Sequence, residues 1–293
     1  MDNFIIVDVS GTNTNFALVV GGEIKKKRHF ETNDIVKFSD CISMYMYLEK
    51  IDVKKIVISC AGQILRGEVV NLTNSNLRIL KRDIELIGFE KVILLNDFEV
   101  LPYGVKDINN FLDITPKANN SDFLVIGAGT GFGISYKKDN KVYGTEEGHL
   151  KINFDNLNLR EEDFISFLKN ELKKENIEFE DILSGRGIEN IYNYLTQNKL
   201  LAKEISDIET KSSFETFEIF YNFYLKAIMY FLKKFDLKQV YIAGGIIMKN
   251  QKYFQEKIIE IWRKEIGDNI GCRILLDYDV SLYGLKNYGL ENL

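Results

Sequence analysis

The stretch that decides the fold is residues 4–13, Phe-Ile-Ile-Val-Asp-Val-Ser-Gly-Thr-Asn, where an apolar run ends in a small polar turn. Two later apolar runs end in glycine turns, in Phe-Leu-Val-Ile-Gly-Ala-Gly-Thr-Gly-Phe-Gly (123–133) and Val-Tyr-Ile-Ala-Gly-Gly-Ile (240–246). A glycine turn after a buried strand lets backbone N–H groups approach an anion closely, with no Cβ in the way. Three such turns, with Asn96-Asp97 between the first two, predict an enzyme that holds a nucleotide and transfers a phosphoryl group.

The composition is that of an ordinary globular protein. The chain has 293 residues, 45% hydrophobic and 28% charged, which is enough for two domains of typical size. Its formal net charge is -5, and the compact basic run Lys25–Arg28 follows Gly21-Gly22, where a hairpin turn is predicted. We interpret this run as a solvated hairpin arm, so neither nucleic acid nor a membrane is expected as a partner.

Cysteine usage and hydropathy favour a cytoplasmic location. Cys41, Cys60 and Cys272 are far apart and lack CxxC spacing, which favours a reducing compartment and argues against a structural zinc site. The N-terminus enters a predicted strand at once, so no signal peptide is expected. Charged residues interrupt the apolar stretch 214–235, which therefore predicts a buried amphipathic helix and no membrane span.

The predicted elements follow a similar order in both halves of the chain. In the first half we predict strands at residues 4–9, 15–20, 23–31, 55–59, 69–72 and 91–95, with helices at residues 35–50 and 82–87. In the second half we predict strands at residues 123–126, 131–137, 141–143, 240–243 and 273–277, with helices at residues 161–176, 187–197, 214–235 and 253–263. This order predicts two related α/β domains with mixed sheets and a cleft between them.

The domain boundary is predicted shortly after Asp97, where both prolines of the chain lie. Residues 1–106 then form a small α/β domain that the C-terminal helix 281–293 completes. Residues 107–280 form the large α/β domain.

Three turns are candidates for holding a nucleotide. Asp8 ends the first strand, and its carboxylate could hold Mg²⁺ through water while the N–H groups of residues 10–13 receive phosphate oxygens. The alternative there is an ordinary hairpin turn. For Gly127–Gly133 phosphate contact is favoured, because a simple turn needs only one or two glycines. Gly244-Gly245 fits either a packing turn or a flat seat for an adenine ring.

Asn96-Asp97 is the candidate catalytic pair. Both residues follow an apolar strand, and such strand ends face the ligand crevice in α/β folds. An aspartate there can accept the proton of a sugar hydroxyl as its oxygen attacks the γ-phosphate. The alternative is that Asp97 caps the helix beginning at Phe98.

A second polar cluster is a candidate for binding sugar hydroxyls. Glu146-Glu147-Gly148-His149 follows the second predicted hairpin, and carboxylates and imidazole bind vicinal hydroxyls well. Metal ligation is disfavoured because no cysteine cluster lies nearby. Glu180 is either a further sugar contact or an acidic residue near a helix start, and Asn74 ends a strand with its side chain available for the crevice.

These segments together resemble the bacterial-type glucokinase family, within the sugar kinase, Hsp70 and actin superfamily. The matching stretches run nearly end to end: DVSGTNTNFALV, SCAGQ, GEVVNLTN, LLNDFEVLPYG, VIGAGTGFG, TEEGH, LSGRGIENIYNYL and VYIAGGI. The resemblance implies a two-domain actin-like ATPase fold (a duplicated ribonuclease H-like fold) with a central cleft. It implies ATP- and Mg²⁺-dependent phosphorylation of glucose to glucose 6-phosphate, the first step of glycolysis, and it leaves a homodimer open.

The resemblance also assigns roles to residues. The catalytic base falls on Asp97, and Mg²⁺ is expected near Asp8 through water. The implied sugar contacts are Asn74, Asn96, Asp97, Glu146, His149 and Glu180. The turns described above add the predicted ATP and phosphate contacts, which are Asp8, Ser10, Gly11, Thr12, Asn13, Gly127, Gly129, Thr130, Gly131, Gly244 and Gly245.

Several positions depart from the family pattern. Ser10 replaces the first glycine of the first loop, Asn15 stands where a basic residue is common, and Glu147 replaces a glycine before the histidine. These departures put ATP affinity and sugar choice in question. Two alternatives follow: a non-catalytic sugar-binding sensor of the same fold, or a kinase for another hexose such as mannose or glucosamine.

Overall fold

The computed structural model describes residues 3–73, 75–116, 121–154 and 156–293. The chain divides into two compact units, of which unit 1 comprises residues 1–109 and 277–293 and unit 2 comprises residues 110–276. Each unit contains a mixed sheet with helices packed against it.

Unit 1 is built on a sheet with the strand order β3-β2-β1-β4-β8. Its elements are β1 (Phe4–Val9), β2 (Asn13–Val20), β3 (Glu23–Glu31), α1 (Phe38–Glu49), β4 (Lys55–Cys60), β5 (Gly62–Leu65), β6 (Val69–Leu72), β7 (Arg78–Leu80), α2 (Lys81–Leu86), β8 (Lys91–Asn96) and α3 (Asp97–Gly104). Strands β1, β4 and β8 are parallel, with Val9 opposite Cys60 and Cys60 opposite Asn96. The carboxyl ends of these three strands therefore lie side by side.

The alternation of side chains along β1 explains why this strand lies at the centre of unit 1. Ile5 and Val7 belong to one buried cluster, and Phe4 and Ile6 belong to another on the opposite face. Because successive side chains of a strand point to opposite faces, a continuous apolar run needs cover on both sides.

Unit 2 has a sheet with the strand order β12-β11-β10-β13-β14-β9. Its elements are β9 (Phe111–Thr115), β10 (Phe123–Ala128), β11 (Phe132–Lys138), β12 (Lys141–Thr145), α4 (Leu159–Leu172), α5 (Phe179–Ile182), α6 (Gly185–Thr196), α7 (Ala202–Asp207), α8 (Lys211–Phe235), β13 (Gln239–Ala243), α9 (Gly245–Lys249), α10 (Glu256–Ile266) and β14 (Gly271–Leu275). The chain then returns to unit 1 as α11 (Val280–Asn292).

Helix α11 fixes helix α3, which begins at the candidate base Asp97. A Cβ on Gly284 would overlap the carbonyl oxygen of Val100, so the two backbones are in close contact. The Asn287 amide donates to the carbonyl of Tyr103 at 2.8 Å. Glycine at 284 permits this approach because it has no side chain to insert between the helices.

Helix α8 is the buried amphipathic helix that the sequence predicts, three residues longer at its start. A reciprocal capping pair begins it: the Thr210 hydroxyl accepts the Ser213 N–H at 3.2 Å, and the Ser213 hydroxyl accepts the Thr210 N–H. Its aromatic residues Phe217, Phe220 and Tyr221 are fully buried in the core of unit 2. Along the described ranges, no helix has the length and apolar content to cross a bilayer.

The basic run 25–28 lies in β3 and is largely neutralised by its own unit. Arg28 pairs with Glu49 at 2.5 Å, and Lys26 donates to the backbone carbonyl of the same residue. Lys27 pairs with Asp279 at 2.5 Å. These contacts agree with its interpretation as a hairpin arm.

Candidate active site

The carboxyl edge of the unit 1 sheet carries the first group of candidate residues. Asp8 and Ser59 are partners in the β1–β4 register, and the Ser59 hydroxyl donates to the Asp8 carboxylate at 2.6 Å. Burial raises the pKa of Asp8 above its usual value, and the hydrogen bond from Ser59 opposes that shift.

Asn96, and not Asp97, is the cap of α3. Its side-chain oxygen accepts the backbone N–H of Phe98 at 2.9 Å, and Asp97 is the first helical residue. The alternative that Asp97 serves as the cap is therefore wrong. The cap occupies the Asn96 carbonyl oxygen, so its amide N–H₂ is the part that can donate to a ligand.

Asp8 and Asp97 come together around the thiol of Cys60. Burial is the main reason why the pKa of Cys60 lies well above its usual value, and the charges of Asp8 and then Asp97 raise it further. Cys60 lies opposite Val9 of β1 and Asn96 of β8, so Asp8 and Asp97, which are next to those two residues in the chain, belong to the same edge of the unit 1 sheet. Cys60 is not among the site residues that the sequence predicts.

The first loop, residues 10–13, is a closed turn. The Ser10 N–H donates to the Asn13 carbonyl at 2.8 Å, and the Asn13 N–H donates to the Ser10 hydroxyl at 3.0 Å. The buried Thr32 hydroxyl donates to the Ser10 carbonyl at 2.9 Å. Two of the four N–H groups predicted to receive phosphate are thus used within the turn, which leaves those of Gly11 and Thr12 as the donors.

Asn15, which stands where the family commonly has a basic residue, bonds to a neighbouring strand. Its side-chain oxygen lies 3.0 Å from Nδ1 of His29. Nε2 of His29 lies 3.1 Å from Glu31, and the imidazole is exposed.

The second loop joins β10 to β11 as a tight hairpin in unit 2. Gly127 pairs with Gly133 inside the strands, so the loop proper is Gly129-Thr130-Gly131. We call these three residues the glycine loop. Among the described residues, no atom lies within 4 Å of the place a Cβ on Gly129 would take. The Gly129 N–H donates to the Gly131 carbonyl at 2.9 Å, which leaves the N–H groups of Thr130 and Gly131 as the donors of this loop.

Helices α5 and α6 fix the glycine loop from one side. The Gly185 N–H, at the start of α6, donates to the Gly129 carbonyl at 2.9 Å. The Glu180 carboxylate of α5 accepts the Phe132 N–H at 3.2 Å, and its other oxygen lies 3.2 Å from Arg186. Glu180 thus contacts the hairpin that carries the glycine loop. The sequence predicts a sugar contact for the same carboxylate.

Gly244 forms a packing turn. It has φ +95°, and a Cβ on it would lie 2.6 Å from the carbonyl oxygen of Ala128. Gly127 is opposite Ala243 in the parallel β10–β13 pair, so this turn and the glycine loop leave the sheet side by side. Gly245 is the first residue of the short helix α9.

The predicted sugar cluster contains one residue more than the sequence analysis named. His149 Nδ1 lies 3.5 Å from Glu178, and its Nε2 lies 3.9 Å from Glu146. Glu178 stands two residues before Glu180, in the same acidic segment. That position is the feature of the sequence from which Glu178 could have been predicted as a site residue. Asn74 lies outside the described residues.

Glu147 and Gly148 anchor the turn that carries Glu146 and His149. Glu147 forms an ion pair with Lys234 near the end of α8. A Cβ on Gly148 would overlap the carbonyl oxygen of Phe132, so the turn lies directly on the strand that leaves the glycine loop. Within the described part of the chain, no cluster of three or more His, Cys, Asp or Glu side chains is arranged to hold a metal ion.

Comparison with known proteins gives consistent results at the level of family. A sequence model of the family described as Glucokinase matches residues 5–286. The "Bifunctional protein glk" of Burkholderia orbicola is 27% identical over 272 residues, which cover 85% of this chain and 42% of that protein. A "Glucokinase" of Brucella suis is 28% identical over 202 residues, which cover 64% of this chain and 57% of that protein. The chain thus spans about half the length of these curated relatives.

Solved structures show the same fold over the whole chain. A glucokinase from an Antarctic psychrotroph superimposes with a TM-score of 0.84 at 20% identity, covering 100% of both chains. A glucokinase from Balamuthia mandrillaris in complex with glucose gives 0.81 at 21% identity, covering 97% and 92%. A ROK family glucokinase from Streptomyces griseus in complex with glucose and AMPPNP gives 0.68 at 18% identity, covering 98% of both chains. The α/β actin-like ATPase fold predicted from the sequence is confirmed.

Proposed function

The chain belongs to the glucokinase family, and from that premise we propose that it phosphorylates glucose at the 6-hydroxyl, with ATP as donor and Asp97 as general base. The observation that carries the proposal is the carboxyl edge of the unit 1 sheet, where Asp8 lies near the end of β1 and Asn96 and Asp97 lie at the end of β8, on the two parallel strands that flank β4. The neighbour crystallised with glucose and AMPPNP supports the same pair of ligands. The proposed reaction would be the first step of glycolysis, because its product, glucose 6-phosphate, is the first intermediate of that pathway.

Asp97 would accept the 6-hydroxyl proton as that oxygen bonds to the γ-phosphorus and ADP leaves. Phosphoryl transfer needs little covalent help, so positioning and charge stabilisation provide most of the rate. Asp97 suits this role because the cap formed by Asn96 fixes the first turn of α3. The Asn96 amide N–H₂ would donate to a sugar hydroxyl beside the base.

Asp8 fits a water-mediated magnesium site. Its carboxylate lies at a strand end, and Ser59 donates to one of its oxygens, Oδ1, which leaves the other as an acceptor for a metal-bound water. When bound, Mg²⁺ would neutralise charge on the β- and γ-phosphates. A single carboxylate suits Mg²⁺, which commonly keeps several waters and binds substrate phosphates.

The N–H groups of Gly11 and Thr12 and the glycine loop would bind phosphate oxygens. In the glycine loop the Gly129 N–H is bonded to the Gly131 carbonyl, so Thr130 and Gly131 would supply the backbone donors, which stabilise a transferring group without reorganising. Gly127, Thr130, Gly244 and Gly245 complete this part of the predicted site. The hexose would bind to Glu146, His149 and Glu180, with Glu178 added from the structure and Asn74 from the sequence.

The test is a coupled assay of ADP release with Mg-ATP and a panel of glucose, mannose and glucosamine. We expect Asp97→Asn to lower kcat by about 10²–10⁴, the range of a lost general base, while glucose still raises the melting temperature. Asp52→Asn, which removes an exposed carboxylate of unit 1, is the matched control.

Each outcome separates the candidates. Turnover with glucose that collapses only in Asp97→Asn supports the proposal. Turnover confined to another hexose supports a kinase of different specificity. Stabilisation by glucose with no turnover supports the sugar-binding sensor, and near wild-type kcat in Asp97→Asn would refute the general base.

A further inference from the structure

A carboxylate lies directly against the glycine loop. Oε2 of Glu180 is 3.2 Å from the Phe132 nitrogen, and a Cβ on Gly131 would lie 2.5 Å from the same oxygen. The Glu180 side chain is 17% exposed, so little water separates it from the loop. The Glu180 carboxylate therefore lies beside the backbone of Thr130 and Gly131, whose N–H groups are the donors that the loop can offer to a phosphate.

This arrangement opposes nucleotide binding unless the charge is balanced. Like charges a few ångströms apart repel each other, and water screens them weakly when one is mostly buried. The hydrogen bond to Phe132 and the close contact with Gly131 keep the carboxylate at a place where its negative charge would repel an approaching phosphate. A cation is needed on the far side of the carboxylate.

Arg186 supplies that cation. Its guanidinium lies 3.2 Å from Oε1 of Glu180, the oxygen that does not accept the Phe132 N–H. Arg186 is in the first turn of α6, and the Gly185 N–H beside it is bonded to the Gly129 carbonyl. The arginine is 72% exposed, so the fold does not need its side chain for packing.

We propose that Arg186 is a positioning residue for the nucleoside triphosphate: it neutralises Glu180 so that the glycine loop can accept phosphate. Arg186 acts through Glu180 and not by its own contact with the phosphate. The proposal rests on the proposed function, because it takes the glycine loop as the phosphate site. It adds a residue that controls nucleotide affinity through Glu180, a carboxylate that the proposed function also assigns to the hexose.

The experiment measures MgADP affinity by isothermal titration calorimetry on the intact chain without sugar, for wild type, Arg186→Met, Glu180→Gln and the double variant. We expect Arg186→Met to weaken MgADP binding by about tenfold, the effect of one charge-assisted interaction. In the Glu180→Gln background the same arginine substitution should change affinity by less than about twofold, since no carboxylate charge remains to balance. Arg186→Lys should keep most of the affinity, and added salt should reduce the Arg186→Met effect.

Two results would overturn the proposal. MgADP affinity unchanged by Arg186→Met would show that the arginine has no part in nucleotide binding. A tenfold loss that persists in the Glu180→Gln background would show that it contacts phosphate directly. Wild-type turnover of glucose, measured separately, tests the proposed function, so either can fail without the other.

Discussion

Replacing Gly148 with alanine tests whether the turn that carries Glu146 and His149 is fixed by its contact with the glycine-loop hairpin. Gly148 is buried, and a Cβ there would overlap the carbonyl oxygen of Phe132 and lie 3.1 Å from its carbon. Both atoms are backbone, so no side-chain rotation can relieve the overlap. The turn has to move away from β11.

Two effects follow from that movement. Overpacking of this kind costs about 1–3 kcal/mol in the free energy of unfolding. For a unit of this size each kcal/mol lowers Tm by about 2–4 °C, so we expect a fall of about 2–12 °C. Displacing positioning residues by about 1 Å can cost about 10²-fold in rate, so kcat/KM for glucose should fall by up to that factor.

Thermal denaturation followed by circular dichroism, together with steady-state kinetics over a range of glucose concentrations, provides the assay. Gly129→Ala is the control for stability, because the position of its Cβ is open among the described residues and its φ suits an L-amino acid. Its Tm should stay within about 1 °C of wild type. Wild-type Tm and glucose KM in Gly148→Ala would refute the reasoning.

The remaining predictions concern two charged contacts near the site. Burial raises the pKa of Asp8, so the ionised carboxylate lowers the free energy of unfolding at pH values above that pKa. This destabilisation is lost when the pH falls below the usual carboxyl range, because the group is then protonated in both the folded and the unfolded state. Urea denaturation should therefore show Asp8→Asn more stable than wild type at pH 7 and not at pH 3, although the substitution abolishes turnover; lower stability at pH 7 would contradict this. Lys234→Met should cost about 1 kcal/mol and raise the glucose KM, because it leaves Glu147 unpaired beside His149. The exchange Lys234→Glu with Glu147→Lys should restore both values, and failure of the exchange to restore KM would show that the pair does not position the turn.

Local pattern was enough for most elements of the fold. The strand predicted at Glu23–Glu31 has those bounds, and helix α8 differs from its prediction only at the start. Long periodic segments are predicted well because burial acts on every residue of them. The short strands β5 and β7 and the short helices α5, α7 and α9 were not predicted, since three to six residues give too little periodicity.

The sequence predicted which types of residue form the candidate site, but not which of them contact one another. The sequence indicated an acid or amide at each strand end, yet Asn and Asp cap helices equally well, so it could not choose between Asn96 and Asp97. It gave Glu180 as a sugar contact or a helix-start acid, and the structure places that carboxylate on the backbone of the glycine loop. Glu178 went unnamed because its closeness to His149 arises only when the segments around residues 149 and 178 lie together.

By itself, the sequence determined the residue types and their order: buried apolar runs, the polar turns that end them and the α/β alternation that makes strands parallel. Those are local properties, since hydrophobic periodicity and turn chemistry depend on residues close in the chain. Only the tertiary structure decided which N–H groups remain free for a ligand and which carboxylates share an environment, as Asp8 and Asp97 do around Cys60. Hydrogen-bond pairing and burial depend on residues distant in the chain, and the parallel register that aligns β1, β4 and β8 brings those residues together.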